Sequence, residues 1–290
     1  MDILDCKNVY VSCSVNCYPH CIDTKENFII FGSSNSIVLY DLNIRSVISL
    51  SSHHSDLINS VRWIDDEGVY IISSSVDQTS IIWQKDEQNV YQLKYVLNGG
   101  HKDSIIISDS VIVDHEFYSV SASNDKSVCM WQNDCNIFTE NVRHFIFDIR
   151  IYNDMANISG LIVLTAGSND CVQINRFDSF NKKLECLITL QGHSDWIKSI
   201  DLISFNGNAK IIFDLFSHFN RFYYDSVDKC LLASASQDFF VRVYEIRKSS
   251  HKTDMGVMSE MFSLKHNDDN EEYYSITLET VLAGHEGWIK

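Results

Sequence analysis

The chain has 290 residues, 45% hydrophobic and 12% aromatic, enough apolar side chain for a large core, so disorder is not expected over most of its length. Lys and Arg number 23 against 39 Asp and Glu, a formal charge of −16, which excludes a chain that holds nucleic acid mainly by neutralising phosphates, though not a local basic patch. The nine cysteines are scattered, with no signal-like leader before them, and no apolar run approaches the ~20 residues of a bilayer span, so the expectation is a soluble protein with free thiols in cytoplasm and nucleus.

The first motif along the chain is CSVNCYPHC, residues 13–21, with Cys17 and His20 inside it. Three thiols and an imidazole are the atoms of a zinc tetrahedron. The spacing C-x3-C-x3-C is nevertheless not the C-x2-C of common structural sites, and no second Cys/His pair follows at ~12–20 residues. As a strand, Cys13, Val15 and Cys17 fall on one face and Ser12, Ser14 and Asn16 on the other. The segment is therefore predicted as the opening strand of the first sheet, ended by Pro19, with no metal and no cofactor.

Four further segments carry one pattern. After IIFGSSNSIVLYD, where Ser34 and Tyr40 hold the later Asp and aromatic slots, come HHSDLINSVRWIDDEGVYIISSSVDQTSIIWQ and GHKDSIIISDSVIVDHEFYSVSASNDKSVCMWQ. Each has a His, an apolar residue four positions on, a small-residue run, an Asp and an aromatic six residues later: His54, Asp77 and Trp83, then His101, Asp125 and Trp131. His54 to His101 is 47 residues, and His101 to His193 is 92, two units of about the same length. The unit between them is LIVLTAGSNDCVQINRF, with Asp170 in place but Arg176 in the aromatic slot and Phe177 one residue late. The fifth is GHSDWIKSIDL joined to LLASASQDFFVRVYEI, with His193, Asp238 and Tyr244, and between its halves residues 205–228 look inserted.

Phe219, Phe222, Tyr223 and Tyr224 surround Arg221 in that insertion, a group that could stack on bases but stands in no basic cluster. Residues 247–277, polar with an acidic run at 268–272, have the composition of a long loop between blades or of an arm that contacts partners. The last piece, TLETVLAGHEGWIK, is predicted to open a new blade over residues 278–290, with His285 in the His slot. The units are placed at 8–48, 49–96, 97–140, 141–188 and 189–247.

Between the markers, Val/Ile/Ser-rich runs such as VYIISSS and CLLASAS alternate with Asp-Gln, Asn-Asp and Gln-Asp turns, which is β texture throughout. Four strands per ~45 residues, repeated, is what an all-β propeller requires. The Gly-His, Asp and Trp set at these intervals resembles WD40 repeats. The resemblance implies a seven-bladed ring of which this chain supplies about five blades plus the first strand of a sixth. Such an open ring exposes sheet edges and blade faces, and is expected to be marginal and aggregation-prone.

It also implies that His54, Asp77, Trp83, His101, Asp125, Trp131, Asp170, His193, Asp238, Tyr244 and His285, with a strand Ser, form a structural network repeated per blade. A catalytic triad is needed only once. No GxSxG, P-loop or HExxH is present, so no enzyme and no catalytic, cofactor-binding or metal residue is expected. Trp196 and Trp288, three residues after a repeat His, are candidate partner anchors on the loop-bearing face, with Lys102 and Lys198 on the same rim; the other reading is packing against the neighbouring blade.

NVYVSCSVNCYPH, FGSSNSIVLYD, GHSDWIKSIDL, SASQDFFVRVYEI and TLETVLAGHEGWIK narrow the resemblance to the second-subunit family of the Elongator complex, in its first propeller. That resemblance implies a non-catalytic scaffold for the complex that modifies wobble uridines of tRNA, with transcription elongation as a lesser association. Its implied partners are the largest and the catalytic subunits, with tRNA contacted at most indirectly and neither membrane nor DNA. Two alternatives stay open: a generic WD40 adaptor in signalling or ubiquitin ligation, and a propeller that binds RNA directly.

Overall fold

The computed structural model describes residues 15–155, 158–178, 181–205, 229–249, 259–266 and 270–283. They form five antiparallel sheets, each a blade. Blade 1 holds β1 (Ile22–Lys25), β2 (Phe28–Ser33), β3 (Ser36–Asp41) and β4 (Ser46–Ser52). Blade 2 holds β5 (Ile58–Trp63), β6 (Tyr70–Ser75), β7 (Ser80–Lys85) and β8 (Tyr91–Leu97). Blade 3 holds β9 (Ile105–Val113), β10 (Glu116–Ser123), β11 (Ser127–Gln132) and β12 (Cys135–Asn141). Blade 4 holds β13 (Ile146–Met155), β14 (Ile158–Gly167), β15 (Val172–Asp178) and β16 (Lys183–Leu190). Blade 5 holds β17 (Ile197–Phe205), β18 (Lys229–Ser236), β19 (Val241–Ser249), β20 (Ser259–His266) and β21 (Asn270–Leu282).

The strand runs form sheets because their apolar residues alternate, and the sheets stack because both faces of a blade carry them. Ile162, Leu164 and Ile174 of blade 4 pack on Ile200, Leu232 and Tyr244 of blade 5, and the same kind of layer joins each pair of successive blades. Burial of these layers is the main stabilising term.

Every seam between successive innermost strands also carries a side-chain to backbone bond. Asp23 of β1 accepts the Trp63 N–H at 2.9 Å, and Asn59 donates to the Ile105 carbonyl at 2.7 Å. Asp109 accepts the Ile151 N–H at 3.0 Å, and Asp148 accepts the Ile200 N–H at 2.9 Å. These bonds fix how one blade sits on the next.

The innermost strands of blades 2 to 5 each contain one extra residue relative to their neighbours: Asn59, Ile106, Phe147 and Lys198. A bulge bends the strand and turns the extra side chain away from the ladder. Of the four equivalent positions, Asn59 is buried against the next blade, while Ile106, Phe147 and Lys198 are half-buried.

Three sequence expectations are corrected here. Residues 15–19 form no strand, and the innermost strand of blade 1 is β1. Asn16 substitutes side-chain bonds for a ladder, donating to the carbonyls of Ser34 (2.8 Å) and Ile58 (2.9 Å) and accepting the Ser34 N–H at 2.7 Å. The described residues within 247–277 are strand and not loop, since β20 and β21 pair with each other and β21 also pairs along β19. Tyr274 and Ile276, buried at every second position, carry a strand signal that the acidic run obscured. Residues 278–282 complete blade 5 through β19 and do not open a new blade. Cys13, the aromatic insertion at 206–228, His285 and Trp288 lie outside the described residues.

Gly167 ends β14 where the bulge of β13 begins. A Cβ there would lie 1.8 Å from the Phe145 carbonyl oxygen, a backbone atom that cannot swing aside. Gly167→Ala is expected to lower stability by about 2–4 kcal/mol in urea unfolding. An unchanged midpoint would show that β13 and β14 do not approach as described.

Candidate functional site: the repeated network, the hub and the loop face

In blade 2 the Trp83 indole N–H donates to Ser73 Oγ (2.8 Å), which lies 2.8 Å from His54 Nε2, and His54 Nδ1 is 2.9 Å from Asp77. With a neutral imidazole protonated at Nδ1, every hydrogen points one way: Trp83 to Ser73 to His54 to Asp77. Burial works to raise the Asp77 pKa, but hydrogen bonds from His54 and Thr79 outweigh it and hold the carboxyl below its ordinary range. Asp77 also accepts the Ser55 and Thr79 N–H groups, so it ties the β6–β7 turn to the loop that enters β5.

Blade 3 lengthens the chain by one group. His101 Nε2 is 2.7 Å from Ser121 Oγ, which also takes the Trp131 indole at 2.9 Å. On the other side Ser127 Oγ stands between His101 Nδ1 (2.7 Å) and Asp125 (2.5 Å). In blade 5 His193 spans Asp238 and Ser234 at 2.8 Å each, and Tyr244 occupies the place of the Trp. Blade 4 has Asp170 in a left-handed turn (φ 53), with Val142 where the His would stand and Arg176 in the aromatic slot.

A second serine in each run, Ser75, Ser123 and Ser236, bonds back to the carbonyl of the loop residue Asp56, Asp103 or Asp195 and accepts the N–H of the network Asp. The spacing Ser-x-Asp was the signal for it in the sequence. Chemically the trio is closed off. Ser73, Ser121 and Ser234 are fully buried, and each hydroxyl is already engaged by a His ring.

At the axis lies a charge cluster that the repeat pattern did not indicate. Asp148 is completely buried in β13 and accepts from Arg62 of blade 2 (2.8 Å), Ser199 Oγ (3.1 Å) and the Ile200 N–H of blade 5. Arg62 also donates to the Ile149 carbonyl at 3.1 Å, and Arg150 donates to the Ile200 carbonyl at 3.2 Å with Asp201 3.7 Å away. Burial would raise the Asp148 pKa, yet the charges of Arg62 and Arg150 hold it below its ordinary range. One carboxylate thus joins blades 2, 4 and 5.

His20 and Cys21, the last polar pair of CSVNCYPHC, are engaged elsewhere than in a metal site. His20 lies within electrostatic reach of Asp148, Arg62 and Arg150, and its carbonyl accepts the Val61 N–H at 2.9 Å, which ties the segment preceding blade 1 to blade 2. Cys21 donates to the Ile58 carbonyl at 3.2 Å, and burial pushes its thiol up to about 11, the opposite of what a thiolate ligand needs. Cys17 is exposed.

Burial lowers the His20 pKa from 6.5 to about 4. Because the folded value lies below the unfolded one, this contribution is full above pH about 6.5 and declines as pH falls towards about 4, by up to ~3 kcal/mol. Burial lowers His101 and His193 in the same direction, whereas the network carboxylates act only in more acidic solution. The melting temperature is expected to fall between pH 7 and 4.5, and His20→Asn to flatten part of that slope. An unaltered slope would mean that His20 is not held neutral in the hub.

On the loop face Trp196 is 46% exposed. It leans on Phe147 (ring centroids 5.5 Å), and Lys198 Nζ lies 3.9 Å from the Phe147 ring centroid and 4.8 Å from that of Trp196. One side of Trp196 thus packs on Phe147 of the neighbouring blade, and the rest faces solvent. Lys126 Nζ sits 4.6 Å from the centre of Phe145. Phe239 and Phe240 lie exposed on the turn whose Gln237 N–H bonds the Trp196 carbonyl at 2.9 Å. Lys102 is exposed on blade 3, with its N–H on Asp125 at 2.7 Å. Sequence reasoning missed Phe145, Phe147, Phe239 and Phe240, although Phe145 stands at the Trp196 position of its own unit.

The family model for the WD domain, G-beta repeat, matches residues 44–84 and 184–245. The chain is 25% identical over 97% of its length to Elongator complex protein 2 of Danio rerio, 26% over 89% to that of Homo sapiens, and 23% over 91% to that of Saccharomyces cerevisiae. It spans about a third of the length of these curated relatives (32%, 31% and 33%). The solved WD40 β-propeller domain of Doa1 superposes with a TM-score of 0.53 at 20% identity, covering 77% of this chain and 62% of that one. That likeness concerns the fold.

Proposed function

We propose that this chain, built of WD40 repeats and similar along most of its length to Elongator complex protein 2, is a non-catalytic scaffold that helps assemble Elongator. The observation that carries the reading is the extent of that similarity, 97% of the chain against the Danio rerio relative. The buried trio supports the absence of catalysis, because its serines are committed to His and Trp within the blade and offer no exposed nucleophile. A stack of rigid blades with exposed rings on one face suits a surface on which other proteins gather.

Its partners are then the largest and the catalytic subunits, with tRNA reached only through them, and its work is support of wobble-uridine modification in cytoplasm and nucleus. Any role in transcription elongation follows from the same association. Depleting the protein from its own cell and quantifying modified wobble uridines in digested tRNA tests the reading. A loss restored by re-expression is expected, and normal modification levels after complete depletion would overturn it.

A further inference from the structure

We propose that a cage of three aromatic rings in the seam between blades 2 and 3 is a binding site for a methylated ammonium group, with Lys94 as its displaceable internal occupant. The site goes beyond the assembly reading and does not depend on it.

The fourth strand of each blade, counted from the channel, contains one extra residue relative to the strand before it: Ile48 in β4, Lys94 in β8, Ile137 in β12, Leu187 in β16 and Glu279 in β21. Ile48, Ile137 and Leu187 pack on the apolar layers beside them, and Glu279 is exposed. Blade 2 alone puts a cation at this position and half-buries it. The wall it meets is aromatic. Lys94 Nζ lies 5.2 Å from the ring centroid of Tyr70, 5.7 Å from that of Tyr95 and 5.4 Å from that of Phe117, all within the range of cation–π attraction.

The rings hold one another without the lysine. Tyr70 and Tyr95 stand edge-on to Phe117, with centroids 5.0 and 5.8 Å away, and Phe117 is anchored at 3% exposure in the layer that joins blades 2 and 3. A site already in place loses little entropy when it is filled. Tyr70 opens β6, whereas Asp77 follows its far end, so the cage lies at the end of the blade away from the His–Asp network and from the loop face.

Lys94 matches this cage poorly. A primary ammonium carries three N–H donors and is strongly hydrated. Among the described residues its one hydrogen-bond partner is Oε1 of the exposed Gln84, at 3.0 Å, and ring faces replace the rest. A trimethylammonium group has the same charge and no donor to satisfy, so it gains the ring attraction at a lower desolvation cost. Lys94 can also leave, because it is the unpaired bulge residue, on a long flexible stem, with water beside it. The net charge of −16 favours a cation over an anion anywhere on this chain.

The test is calorimetric titration of the purified full chain with choline and with its neutral analogue, in which a tert-butyl group replaces the trimethylammonium. Choline is expected to bind, Lys94→Ala to tighten it about tenfold by removing the competitor, and Tyr70→Leu to weaken it about tenfold. Leu93→Ala, the exposed neighbour on β8, should change nothing. Melting temperatures check that each variant folds, and Lys94→Gln, which keeps the stem and removes the charge, serves in place of an unstable Lys94→Ala. A peptide carrying trimethyllysine that binds more tightly than choline would identify a protein side chain as the source, and choline binding the tighter would identify a free amine; both outcomes support the site. No choline binding by well-folded Lys94→Ala and Lys94→Gln, equal binding of the neutral analogue, or indifference to Tyr70→Leu would each overturn it.

Discussion

Replacing Asp148 by alanine is expected to cost about 3–5 kcal/mol of stability, among the largest losses from any single side chain in this protein. The carboxylate is completely buried and accepts from Arg62, Ser199 and the Ile200 backbone, so three donors from blades 2 and 5 lose their acceptor together. The most expensive orphan is Arg62, a guanidinium 5% exposed that keeps only the Ile149 carbonyl. Asp148→Asn should cost less, because an amide oxygen can still accept from Ile200. Adding Arg62→Met to Asp148→Ala should recover part of the loss, since the unpaired cation is then gone. Urea unfolding of the four proteins decides it, and single and double variants of equal stability would mean that the ion pair is not what Asp148 contributes.

Trp131→Ala is expected to cost about 3–5 kcal/mol, and Trp131→Phe about 1–2 kcal/mol. The ring is 1% exposed in the layer between blades 2 and 3, and its N–H ends on Ser121, the hydroxyl that also meets His101. Phe refills most of the volume but removes the first donor of the Trp131 to Asp125 chain. Ser121→Ala should therefore cost little more in the Phe variant's background than Trp131→Phe costs alone, the mark of groups acting as one unit. Fully additive costs in a double-mutant cycle would contradict a linked chain.

How much of this was legible in the sequence follows from how far apart the interacting residues are. His54, Asp77 and Trp83 recur in spacing because one blade closes its bonds within a single unit, so the period displays the network. Arg62 and Asp148 are separated by 86 positions and meet only because inner strands from different blades converge on one axis. No local pattern records such a pair. The aromatic rim is an intermediate case. Phe145 and Phe147 are visible as departures at equivalent repeat positions, but the bulge that turns Phe147 outward is a feature of pairing, not of spacing. The misread tail has the same origin, for Asn270 and Glu271 look solvated at the start of a strand whose later residues Tyr274 and Ile276 enter the core. In CSVNCYPHC the alternation misled, for Val15 and Cys17 are exposed and the Asn16 amide bonds two blades at once in place of a ladder.

The central claim is that this chain works by assembling with Elongator. Its most direct measurement is quantitative mass spectrometry of the full-length protein, affinity-purified from its own cell beside an untagged control. The account predicts recovery of the largest and the catalytic subunits in comparable amounts. Recovery of kinase or ubiquitin-ligase subunits with no Elongator subunit would contradict it.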